Sequence, residues 1–242
     1  MKCIKCSAEL PEGNITCDKC GTSYVLRCID CNYIAIADME HRPHCQGQLI
    51  PVWNPSEEEL LALGIRCFMP FTDDRIYDIY LGGNRNGGGY DFRNKPGYTG
   101  PSVETVVLPS MVAGMPIVGI WNNFFCTGED FTPEVYDKTF ERMYPIKEIV
   151  VSEGIREAGI HAFFGCCGLE TLVLPKSMKK MMYDFYDLFP NGLNPYPNGR
   201  ARGPLTICYR GSEQDWANVA VPTLLNDMVK KGYIKLKFDY MD

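Results

Sequence analysis

No stretch of this chain concentrates positive charge. It carries 24 Lys and Arg against 30 Asp and Glu, a net of -6, and its first fifty residues hold five basic and six acidic side chains. Binding to a phosphate backbone depends on a concentrated positive field, so nucleic acid is not the expected partner. Long apolar runs are missing too. Segments such as residues 111–120 are short and broken by Gly and Pro, well below the roughly 18 residues that a bilayer crossing needs, and no membrane span is expected. The opening Met-Lys-Cys-Ile-Lys-Cys leads into no leader-like apolar run, which sets the expectation of a cytoplasmic protein. Histidine is scarce, at three residues. No nucleophile sits beside a base, no carboxylate pair recurs at one phase, and no three-ligand open metal site is visible, so the protein is not expected to be an enzyme.

Cysteine, by contrast, is abundant: twelve residues, read as thiols and metal ligands rather than a disulfide framework. Cys3, Cys6, Cys17 and Cys20 form C-x2-C, ten intervening residues, then C-x2-C. Two tight knuckles at this spacing aim four thiolates at one point, the closed tetrahedral cage of a structural zinc. Gly21 follows the second knuckle, where a positive φ turns amides towards the sulfurs. A second set begins at Cys28 and Cys31 and closes in residues 41–45 with Cys45 and a histidine, His41 by reach or else His44, the remaining alternative being an empty second site. Two structural Zn2+ ions are therefore expected, and they would supply the free energy that fifty residues with few large apolar side chains cannot obtain from burial. Residues 3–49, including Leu26 and Leu49 at the ends of the two units, resemble the double zinc ribbon family. That resemblance implies an interaction or nucleic-acid module, and the charge favours the former.

Residues 51–55 read as a connector. Ser56 and Glu59 form a capping box that opens a helix through Leu60, Leu61 and Leu63, closed by Gly64. The glycine-rich segment 82–89 lacks the lysine and the strand-to-helix context of a phosphate loop and reads as a turn.

From residue 103 the sequence repeats itself. Ile146, Ile149, Val151, Ile155, Ala158, Phe163 and Cys166 recur 23 residues later as Leu169, Leu172, Leu174, Met178, Met181, Tyr186 and Phe189. An apolar set returning at such an interval means stacked coils that bury their inward side chains against one another. Val103, Val106, Leu108 and Pro109 start an enlarged first copy completed by Ile120, Phe125 and Cys126, while Leu205 and Ile207 match Leu172 and Leu174. Each coil should give one short strand, ended by Pro109 or Pro175, and the strands a parallel sheet. This pattern resembles the BspA-type leucine-rich repeats over residues 90–242, with the lead-in at residues 97–100 and the closing residues 207–212 with Trp216. The resemblance implies a protein-binding or adhesive role, often in exported proteins. A helix within residues 222–230, Gly232 as its stop and a last strand within residues 233–240 should cap the stack.

The expected fold is mainly β with few helices: a double zinc ribbon at 1–50, a linker and short helix at 51–66, lead-in strands and a Gly-rich loop at 67–101, and a leucine-rich-repeat solenoid with a C-terminal helical cap at 102–242. Insertions at residues 127–145 and 191–204 interrupt the repeat at one phase, so both should leave the same edge, on the order of 10 Å apart. Tyr196, Arg200 and Arg202 in the second are the candidate partner contacts. Cys126 and Cys166 are read as small inward hydrophobes and His161 as a solvent-facing coil residue. The expected function is a zinc-binding scaffold for protein partners. The alternatives are nucleic-acid binding through the ribbons and an exported adhesin.

Overall fold

The computed structural model describes residues 3, 6–10, 15–28, 34–35, 49–63, 65–68, 79–81, 104–121, 124–125, 146–160, 162–163, 166, 169–182 and 204–241. Over these residues the protein is mainly β, with three helices. Of the expected positions, Val103, Cys126, His161, Tyr186, Phe189, the 82–89 segment and the 127–145 insertion lie outside the described residues.

At the N-terminal end, β1 (Tyr24–Cys28) runs between β2 (Ile34–Ala35) and β3 (Leu49–Trp53), antiparallel to both. The connector reading of 51–55 is corrected here, because Pro51, Val52 and Trp53 pair with Leu26, Val25 and Tyr24. β3 is an edge of its three-stranded sheet, where a proline's missing N–H is tolerated, and burial of Val52 holds the strand down. Helix α1 (Glu57–Ala62) starts at the expected capping box: the Glu59 amide donates to Ser56 Oγ at 3.1 Å and the Ser56 amide to Glu59 Oε2 at 3.0 Å. Only Leu60 of its leucines reaches the core, whereas Leu61 and Leu63 are exposed.

The body stacks along two ladders. In the first, β6 (Thr105–Leu108), β9 (Glu148–Val151), β11 (Thr171–Leu174), β13 (Leu205–Tyr209) and β14 (Ile234–Lys237) lie parallel in that order. Val106 pairs with Ile149 and Ile149 with Leu172, so the 23-residue copies sit in register. The next step differs from the sequence expectation: Leu172 pairs with Ile207 and Leu174 with Tyr209, not Leu172 with Leu205. A slip of two residues keeps the same side chains facing inward, so apolar alternation alone does not distinguish the two registers.

A second ladder lies beyond the one-strand-per-coil expectation. β8 (Met115–Ile120), β10 (Glu157–Ala158) and β12 (Lys180–Met181) are parallel neighbours, with Ile120, Ala158 and Met181 in register. β5 (Ile79–Leu81) adds in parallel beside β8, β4 (Cys67–Phe68) pairs antiparallel with β5, and β7 (Met111–Val112) forms a hairpin with β8. Between the ladders lies one apolar core, in which Ile149, Val151, Ile155, Ala158, Phe163 and Cys166 of one turn stack on Leu169, Leu172, Leu174, Met178 and Met181 of the next. Phe125 meets Phe163 at 6.2 Å between ring centroids, one copy above the other.

The C-terminal end follows the expected order. After β13 come α2 (Glu213–Trp216) and α3 (Thr223–Lys230), then Gly232 at φ +77°, then β14. Leu225 and Met228 of α3 are buried in the same core, and Trp216 packs edge-on against Tyr209 at 5.1 Å. No helix among the described residues is long and apolar enough to cross a membrane.

Candidate metal centre

The two N-terminal knuckles are built alike. In the first, the Ser7 amide donates to the Cys3 carbonyl at 2.8 Å and the Cys3 amide to the Ala8 carbonyl at 2.7 Å; in the second, Gly21 N–H donates to Cys17 O at 2.8 Å and Cys17 N–H to Thr22 O at 2.9 Å. Ser7 and Gly21 both take positive φ, +57° and +71°. Gly21 fits the expectation at the second knuckle, whereas Ser7 is the position that residue type did not reveal, since serine carries a Cβ that disfavours this region. Its spacing, one residue past a C-x2-C pair as for Gly21, was the available signal.

These turns bring four sulfurs together. Cys3 Sγ lies 3.6 Å from Cys20 Sγ and Cys6 Sγ 3.6 Å from Cys17 Sγ, and all four ligand atoms fall within 4.8 Å of one another. A tetrahedral thiolate cage with metal–sulfur bonds of about 2.3 Å has sulfurs about 3.8 Å apart, so the arrangement fits a metal ion. Cys3 and Cys17 are buried and pack with Leu10 and Tyr24 in a small apolar cluster, to which Trp53 adds from β3.

The electrostatics call for a cation. The Ala8 amide favours the Cys6 thiolate, but burial and the sulfurs of Cys20, Cys17 and Cys3 outweigh it and push this thiol up to about 12. Cys20 is shifted the other way, chiefly by the Thr22 hydroxyl at 3.0 Å and then by the Thr22 amide. Four sulfurs this close cannot all ionise without a positive ion among them, which a divalent metal held there would supply.

Of the other expected ligands, Cys28 is fully buried at the end of β1, while Cys31, His41, His44 and Cys45 lie outside the described residues, as do Tyr196, Arg200 and Arg202. Cys166 is fully buried in the repeat core, in the inward position read for it.

A residue that sequence reasoning passed over joins the head to the body. Arg27, on β1, is 1% exposed, and its Nη1 donates to Ser110 O at 2.8 Å and its Nη2 to Gly154 O at 3.2 Å. Gly154 has φ +101°, and a Cβ there would collide with the guanidinium. Burial, then the charge of Arg156, lowers the Arg27 pKa to about 10 against an opposing pull from Glu153. Beside this contact, the Ala113 amide donates to Pro55 O at 2.8 Å and the Gly114 amide to Asn54 Oδ1 at 2.9 Å.

The molecule is thus a mainly β protein in which a four-cysteine cluster capable of holding a metal ion is joined to parallel-strand ladders of a kind compatible with a leucine-rich-repeat-like fold. No family model matches the chain, and no curated protein matches it. Among solved structures it is similar to a leucine-rich repeat protein of T. pallidum, at 16% identity and a TM-score of 0.34 over 72% of this chain. The similarity takes in 62% of that protein, so the chain spans less than two thirds of its length.

Proposed function

We propose that this is a non-catalytic, zinc-binding leucine-rich-repeat protein of the cytoplasm that holds protein partners. The observation that carries the reading is the sulfur tetrad on twin knuckles, with spacings that suit zinc and four cysteines that would fill its tetrahedral coordination. In this reading Cys3, Cys6, Cys17 and Cys20 hold one Zn2+, and Cys28, Cys31, His41 and Cys45 hold a second in an adjoining ribbon.

The body is read as a short BspA-type solenoid capped by α3 and β14. Its first ladder places Thr105, Glu148, Thr171 and Thr206 in one row of exposed or half-buried side chains, one from each successive strand. Rows of this kind, on a rigid surface built from successive repeats, suit an extended protein contact better than a small-molecule pocket. Tyr196, Arg200 and Arg202 are proposed as anchors at the edge of that surface, because Tyr and Arg dominate interface centres.

Native mass spectrometry of the full chain tests the metal part: two zinc ions are expected, a single ion would remove the second ribbon, and none would remove the reading. For the partner part, capture from cytosol with the chain carrying Tyr196→Ala, Arg200→Ala and Arg202→Ala should lose whatever the unaltered chain retains, and equal recovery would refute those anchors.

A further inference from the structure

β1 connects the cysteine cluster to the repeats without a break. Thr22 binds Cys20 Sγ through its hydroxyl and Cys17 N–H through its carbonyl, Ser23 O accepts from Asn54 N–H at 3.1 Å, and the Tyr24 amide donates to Ile15 O at 2.7 Å. Tyr24 is itself buried among Cys3, Leu10 and Cys17. Three residues further on, Arg27 inserts its guanidinium between two successive turns of the body, at Ser110 just past β6 and Gly154 just past β9. The strand that the knuckles position is therefore the strand that docks the head.

That docking is poised. A guanidinium carries five N–H donors, and here its partners are the carbonyl oxygens of Ser110 and Gly154 and, at 4.0 Å, the weakly accepting sulfur of Met111, while among the described residues Arg27 Nε and the buried Ser110 Oγ find none. A buried charge with incomplete partners stays buried only while its backbone is held in place, because water would satisfy every donor. The body's ladders contain no strand of the N-terminal sheet and its buried core no residue of it among those described, with Trp53 only packing from outside, so the stack can stand without this contact. Resting on the metal reading above, we infer that metal occupancy of Cys3, Cys6, Cys17 and Cys20 controls the docking of the N-terminal sheet on the turns at Ser110 and Gly154. The loaded centre docks the head; the emptied centre releases Arg27 to solvent and leaves the repeat stack folded.

Hydrogen exchange on the full chain, with metal content read in parallel by native mass spectrometry, tests this. After chelation the amides of Ala113 and Gly114, which donate to Pro55 and Asn54, should exchange at least about tenfold faster, as expected for a local opening. The amides of Thr206 and Arg210, bonded to Glu170 and Leu174 within the stack, should keep their protection. Arg27→Ala should speed exchange at Ala113 and Gly114 with zinc still bound. Three results would overturn the inference while leaving the metal reading intact: unchanged exchange at Ala113 and Gly114 once zinc is gone, simultaneous loss of protection at Thr206 and Arg210, or no effect of Arg27→Ala. A chain that binds no zinc would remove both.

Discussion

Tyr209 shows how one side chain ties the repeat to its cap. Its hydroxyl donates to the Lys176 carbonyl at 3.1 Å and its ring meets Trp216. Burial first, and then the charges of Asp215 and Glu153, raise its pKa from the ordinary 10.0 to about 12. A folded-state pKa above the unfolded one means stability that is whole below pH 10 and lost as the pH climbs towards 12. Denaturant midpoints measured across that range should fall for the native chain and fall less for Tyr209→Phe, which cannot ionise; parallel curves would refute the assignment. Gly154 is constrained as tightly from the other side, by its positive φ and by the guanidinium where a Cβ would be. Neither constraint could be read from the repeat, because both arise from residues distant in sequence.

At the scale of elements, the first ladder depends on side chains stacked in single file. Leu172 lies between Ile149 and Ile207, and all three are fully buried. Leu172→Ala should therefore destabilise the body by roughly 2–5 kcal/mol, the range for a leucine truncated in a core that cannot close up. Denaturant unfolding would measure it, and a loss below about 1 kcal/mol would mean that the stack tolerates a cavity at its centre. The strand pattern and the capping box at Ser56 were legible because they are local. The pairing of Leu172 with Ile207 and the second ladder through Ile120, Ala158 and Met181 were not: a two-residue slip preserves the inward face, and β10 and β12, at two residues each, leave almost no alternation to read.

For the whole molecule, charge and architecture act together. With a net charge of -6 and no run of basic residues in its sequence, the chain is expected to gain little from counterion release on a phosphate backbone. A gel shift with DNA or RNA at low ionic strength should show no retardation. Retardation that weakens as salt rises would instead favour the ribbons as a nucleic-acid module. The head packs against the body through Trp53, which touches both apolar clusters, and through the buried Arg27, so the cysteine cluster at one end and the stacked strands at the other share an interface.

The sequence alone determined what spacing can encode. Two C-x2-C pairs foretold a four-sulfur cluster, and an apolar set returning after 23 residues foretold parallel strands stacked in register, since both are properties of short, periodic segments. Tertiary structure decided the rest: Ser7 in a conformation its side chain disfavours, β3 running through Pro51, the register at Ile207, and Arg27 between Ser110 and Gly154. Each of these depends on which distant backbone groups come within hydrogen-bonding reach, and that is fixed only when the chain has packed.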